Sequence, residues 1–153
     1  MEMDKIQWET KLDDLLCEIV ASKEAYEKLA TTEELPGRKH FFKEQALQRM
    51  EFETILSEEI LVVKEGGMLK RRTPDTCVFD NVVATVTSRR LTAIEVDRLI
   101  LQKEQDLIKK YQEVLEYPYI PDATDALLQS QAEDMNDVAQ KLKLDLNLEE
   151  NNF

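Results

Sequence analysis

Residues 38–65 read RKHFFKEQALQRMEFETILSEEILVVKE, and the spacing of their apolar positions decides the fold. Phe42, Ala46, Phe52, Leu56, Ile60 and Val63 are separated by three, four or six residues, so one side of an α-helix carries them all. Leu35-Pro36-Gly37 stands before this stretch and Gly66-Gly67 after it. Proline disfavours helix at the residue preceding it, and glycine frees the backbone to turn, so the helix is bounded near Arg38 and Glu65.

Working outward, Leu12, Leu15, Leu16, Ile19, Tyr26 and Leu29 recur at helical steps between about Asp4 and Thr32, with Lys and Glu filling most positions between them. This is a first long amphipathic helix, reversed onto the second by the proline-glycine turn. A third is announced by Thr92 with Glu95 three residues on, the spacing of a capping box, and carries Val96, Ile100, Leu107, Ile108, Tyr111 and Leu115 inward until Pro118 closes it. A fourth starts near Pro121, suited to a first helical turn, and runs through Leu127, Leu128, Met135, Val138 and Leu142. After Lys143 the acidic tail, residues 144–153, is expected to fray, leaving residues 1–143 as the domain.

Between Gly66 and Leu91, Val78, Val82, Val83 and Val86 fit a helical period, while their β-branching and that of Thr85 and Thr87 favours a strand. A short helix is the expectation and a strand the alternative. The length of this connection matters more. At roughly 3.3 Å per residue, some 25 residues span a helix of similar length at about 1.5 Å each, so the segment permits a crossover. The expected fold class is all-α: a ferritin-like four-helix bundle in which two antiparallel hairpins are joined by a long crossover between the second and third long helices. An up-down-up-down bundle with a decorated loop is the alternative.

Composition narrows the function classes. Three glycines and four prolines are too few for a turn-rich β-sandwich, and 42% hydrophobic residues are too many for a disordered tract. A net charge of −12 repels phosphate, which argues against nucleic acid or an anionic membrane as partner. Met1-Glu2-Met3-Asp4-Lys5 opens no secretory signal, and no apolar run reaches the roughly 18 residues of a membrane span, so a cytoplasmic location is expected. Cys17 and Cys77 lack C-x-x-C spacing and are read as reduced thiols.

The helical registers also carry charge inward. Arg49 and Glu53 share a face with Ala46, Leu56 and Ile60; Glu104 shares one with Ile100, Leu107 and Tyr111; Gln131 and Asp134 lie between Leu128 and Val138. Arg49, Glu53, Glu104 and Tyr111 are therefore expected to form a buried polar layer, with Arg49 bonded to Glu104 or Glu53. A metal reading takes Glu53, Glu104, Gln131 and Asp134 as an iron or manganese site. Against it, no Glu-x-x-His occurs, Glu133 is followed at that spacing by Asn136, and a guanidinium repels a divalent cation while it satisfies carboxylates. No metal or other cofactor is expected on this count.

The single histidine, His40, reads as a surface residue at a helix start. Lys70-Arg71-Arg72 and Arg89-Arg90 read as offsets to neighbouring carboxylates, and Tyr117 and Tyr119 as the cap of one end of the bundle. No nucleophile is paired with a base, and no glycine-rich phosphate loop or Cys/His cluster occurs, so no reaction is nominated. A second apolar row on the second helix, Phe41, Leu47, Met50 and Ile55, suggests a homodimer.

Ala25-Tyr26, Arg49-x-x-Phe52-x-x-x-Leu56, Gly66-Gly67 and Glu104-x-x-Leu107-x-x-x-Tyr111-x-x-x-Leu115 together resemble an uncharacterised bacterial family of ferritin-like four-helix-bundle proteins, over roughly residues 4 to 143. The resemblance implies the fold with its long second connection, a bacterial source, an association with stress-response proteins and no established activity. Where metal-binding relatives of that superfamily carry Glu-x-x-His on the second helix, this chain has Arg49-x-x-Phe52, and the residue seven before Tyr26 is Ile19 rather than Glu. Only Glu104 carries over cleanly. The function expected is that of a non-catalytic structural or interaction module.

Overall fold

The computed structural model describes the backbone of residues 2–64, 76–118 and 120–151, and the side chains of residues 7–64, 76–118 and 120–148. Among these residues every regular element is helical. Helix α1 spans Glu2–Thr31, α2 Lys39–Val63, α3 Val82–Ser88, α4 Ala93–Leu115 and α5 Asp122–Asn151, and one 3₁₀ turn, Pro36–Arg38, leads into α2.

Each boundary has a local cause. Pro36 stands at the start of the 3₁₀ turn, where its missing N–H has no partner to lose, and Arg38 N–H donates to Leu35 O at 3.0 Å. At α4, Thr92 Oγ1 accepts from Glu95 N–H at 3.3 Å while the Glu95 carboxylate accepts from Thr92 N–H at 3.0 Å, the reciprocal capping box that the sequence spacing predicts. Thr92→Ala should cost about 1 kcal/mol of stability in urea unfolding. The Glu95 carboxyl is held below its usual pKa by the Thr92 N–H and hydroxyl. Its contribution is therefore present above the ordinary carboxylate pKa and fades as pH falls through the lowered one.

Among the described residues between α2 and α4, a short helix forms rather than a strand. That helix is Val82–Ser88, and Val78 lies in the turn before it. Asn81 at its start and Arg90 past its end take positive φ, 34° and 49°. Arg90 is the left-handed residue of a Schellman ending, in which Leu91 N–H reaches back to Val86 O at 3.4 Å. Residues 66 and 67, expected to stop the second helix, lie outside the described residues, as do Lys70-Arg71-Arg72 and Tyr119.

Where the tail is expected to fray, the backbone is helical as far as Asn151. Helix α5 continues past Lys143 to Asn151, because Leu142 and Leu146 extend the buried stripe at four-residue spacing and neither glycine nor proline intervenes.

Packing follows the apolar stripes. Helix α1 lies along α2, α4 lies along α5, and α1 also touches α3 and α4. Leu12, Leu15, Ile19, Tyr26 and Leu29 of α1 are buried with Phe42, Phe52, Leu56 and Ile60 of α2, Ile100, Leu107 and Tyr111 of α4, and Leu128 and Met135 of α5. Phe79, Val82 and Val86 insert the α3 segment into the same core. Leu47, Met50 and Ile55 of α2 are exposed, whereas Phe41, from the same expected outer row, turns in and packs edge-on against Tyr26 and Phe42. No helix among the described residues is long and apolar enough to cross a membrane.

Candidate functional site

The side chain that matters most is Arg49, fully buried at the middle of α2. Its Nη2 donates to both oxygens of Glu104, at 2.7 and 2.5 Å, and its Nη1 donates to Ser22 Oγ at 3.3 Å. Glu104 is as inaccessible as its partner. Each helix supplies a member by the register of its stripe: Ser22 and Tyr26 of α1 share a face with Ile19 and Leu29, and Glu104 sits between Ile100 and Leu107 on α4.

The remaining groups complete the layer. Tyr26 Oη donates to Glu104 Oε1. The Arg49 guanidinium carbon stands 5.6 Å from the Tyr26 ring centroid and 5.9 Å from that of Phe52, so two aromatic faces lie within cation–π range of it. Tyr111 Oη donates to Gln131 Oε1 at 2.7 Å, and Gln131 Nε2 donates to the Phe52 carbonyl at 3.3 Å, which joins α4, α5 and α2. Within this layer, Arg49 Nε has no hydrogen-bond partner.

Burial and the Glu104 charge together set the protonation of this layer. Burial by itself would depress the pKa of the Arg49 guanidinium, but the adjoining Glu104 carboxylate more than compensates and raises it above its ordinary value. Burial, reinforced by the Glu104 charge, drives the Tyr26 phenol well above its usual range, and burial raises Tyr111 as well. Both phenols therefore keep their protons at neutral pH and act as donors. Both Glu104 oxygens accept from the Arg49 guanidinium, and Oε1 also accepts from Tyr26.

The sequence-predicted residues divide accordingly. Arg49, Glu104 and Tyr111 lie in one buried layer, together with Gln131. Glu53 does not join it: its side chain is 31% exposed and pairs with Lys23 of α1 at 2.6 Å, because four residues advance a helix by more than a full turn and carry Glu53 toward the α1 flank. Asp134 is exposed on α5, as are Glu133 and Asn136. The four residues of the metal reading are thus not gathered, and among the described residues no group of three or more His, Cys, Asp or Glu is placed to hold a metal ion. His40 is 87% exposed and pairs with Glu44 one turn on.

Several buried charges were not visible in the helical pattern. Asp97 accepts from Arg38 Nε and Nη2 at 2.9 and 2.6 Å, Asp13 accepts from Lys64 at 2.7 Å, and Glu18 accepts from the backbone N–H of Val78 at 2.8 Å. Burial raises the Glu18 pKa, and the Val78 bond works against that rise. The available signal was that Asp13, Glu18 and Asp97 each adjoin a buried apolar position; their partners, however, depend on how the helices register.

A groove of about 580 Å³ opens between the start of α2 and the end of α5, with Phe41, Gln45, Val138, Leu142 and Leu148 among its walls. Its rim carries the Arg38–Asp97 and His40–Glu44 pairs and no nucleophile next to a base. Comparisons of the chain with protein-family models, with curated proteins and with solved structures give no match.

Proposed function

We propose that this chain is a non-catalytic ferritin-like four-helix bundle that works as a structural, stress-associated interaction module. The observation that carries the reading is the Arg49–Glu104 pair. It fills the middle of the interior, where a metal-binding bundle of this architecture would hold its ions, with a cation already bonded to the one carboxylate that such a site would share.

Contacts along the helices support the topology. The starts of α2 and α4 meet at Arg38 and Asp97 and their middles meet at Arg49 and Glu104, as expected of helices running the same way. Phe52 and Glu59 of α2 meet Gln131 and Thr124 of α5 in reverse order, as do Lys23 and Asp13 of α1 with Glu53 and Lys64 of α2. Two antiparallel hairpins joined by a crossover through α3 satisfy all of these pairs.

Metal analysis of protein purified without chelator tests the reading. Only substoichiometric iron and manganese are expected, and one ion per chain would restore the carboxylate-site alternative. The partner we assign is a second copy, meeting through the outer face of α2, where Leu47, Met50, Ile55, Leu61 and Val62 are exposed. Light scattering at micromolar concentration should then give twice the chain mass of 17.8 kDa, and Leu47→Glu with Leu61→Glu should halve it. A wild-type mass of one chain would remove the dimer from the proposal.

A further inference from the structure

The two cysteines, sixty residues apart in sequence, meet on the flank of α1. Cys77 lies in the non-helical residues 76–81 ahead of α3, and its Sγ is 4.0 Å from the backbone oxygen of Cys17. The neighbouring residues hold that register. Val78 N–H donates to Glu18 Oε2 at 2.8 Å, and Cys77 N–H donates to Asp80 Oδ2 at 2.8 Å. Phe79 is buried immediately beyond, so the segment is anchored on both its polar and its apolar side. A carbonyl oxygen sits about 3 Å from the Cβ of its own residue, which places the Cys77 sulfur within about 7 Å of the Cys17 Cβ. Disulfide geometry asks for Cβ atoms roughly 3.5–4.5 Å apart, so side-chain rotation turns the two sulfurs toward each other and the backbone of the non-helical residues 76–81 must supply the remaining approach toward α1. Both cysteines are thiols, and both are partly accessible.

We infer that Cys17 and Cys77 form a reversible intramolecular disulfide in the presence of a small-molecule disulfide, fastening the segment ahead of α3 to the middle of α1. The exchange balances in two steps. The Cys17 thiolate attacks the oxidant's S–S bond, forming a mixed disulfide and releasing one thiolate. The Cys77 thiolate then attacks the Cys17 sulfur, forming the protein disulfide and releasing the second. The two protein thiols are oxidised, one oxidant disulfide is reduced to two thiols, and the two protons pass to those products.

The order of the steps follows from the surroundings of Cys77. Burial, with Glu18 of α1 and Asp80 and the Cys17 thiol nearby, pushes its own thiol up to about 12, against the opposing charge of Lys110 on α4. A protonated thiol is a poor nucleophile, so Cys77 is the resolving partner and its step quickens with rising pH.

The test treats the whole chain with hydroxyethyl disulfide at mildly alkaline pH and follows it by thiol titration, intact mass and peptide mapping. Expected are loss of both thiols, a mass lower by two hydrogens with no adduct retained, a peptide linking Cys17 to Cys77, and full reversal by reductant. Stable adducts on both cysteines, a link between chains, or two persisting thiols would overturn the inference. Cys77→Ser should stop at a lasting adduct on Cys17, whereas Cys17→Ser should react at least tenfold more slowly; equal rates in the two variants would overturn the assigned order. The oxidised chain should unfold at higher urea than the reduced chain, because the link closes a long loop of the unfolded state, and an unchanged or lower midpoint would remove the fastening role. The mapping and unfolding of the wild-type chain need no variant, so a misfolded substitution leaves the inference open to disproof.

Discussion

Arg49→Ala is expected to lower stability by about 3–5 kcal/mol, seen as a fall in the urea midpoint with the slope unchanged. The substitution leaves the fully buried Glu104 carboxylate with the Tyr26 hydroxyl as its hydrogen-bond partner among the described residues, and also empties the space that the Arg49 side chain fills near the Tyr26 and Phe52 rings. The two losses are distinguishable. Arg49→Met refills most of the volume yet leaves the carboxylate unpaired, so it should recover little; Arg49→Met with Glu104→Gln removes the charge as well and should recover most of it. Burying two ions is itself costly, so the paired uncharged replacement is expected to come close to the wild type in stability. What the ion pair supplies under this account is a single register among α1, α2 and α4, since Arg49 can meet Glu104, Ser22 and the Tyr26 ring together in only one alignment of these helices.

Phe42→Ala should be of similar size, about 3–5 kcal/mol, because a fully buried ring is replaced by a cavity that its neighbours fill only in part. Its ring centroid lies 6.3 Å from that of Tyr26 and 5.8 Å from that of Phe41, at the end of the core near the α1–α2 turn. Loosening Tyr26 also weakens its hold on Glu104, so this loss and that of Arg49→Ala should not add: the double substitution should cost less than their sum. Phe42→Leu keeps most of the volume and should cost under about 1.5 kcal/mol. Thermal and urea unfolding of the same variants check both values.

How much of this was legible in the sequence follows from what periodicity can encode. Helix existence and the inward stripes were legible because burial writes itself at every third or fourth residue, and the Thr92–Glu95 box because capping is local. The Arg49–Glu104 bond was legible by a second route: each residue falls on a buried face, and neither charge can be buried alone. Glu53 was misplaced because four residues return only approximately to the same face, and a lysine on the neighbouring helix decided the rest. Asp134, three residues past the buried Gln131, was misplaced for the same reason on the other side of its stripe. The tail past Lys143 was misread because polar composition was weighed above the continuing Leu142–Leu146 spacing.

The meetings of Arg38 with Asp97, Asp13 with Lys64 and Cys17 with Cys77 left no mark in the pattern. Each depends on where one helix or connecting segment comes to rest along another. That is a property of the assembled core rather than of any local stretch.

The most direct measurement of the central claim is a double-mutant cycle in urea on Arg49→Met and Glu104→Gln. If the pair is the closed, mutually neutralising centre of the fold, the coupling energy should be about 2–3 kcal/mol or more, with the double variant more stable than either single one. A coupling near zero, with each substitution tolerated alone, would mean that the two charges do not depend on each other, and would contradict the account of the interior as a structural ion-pair layer.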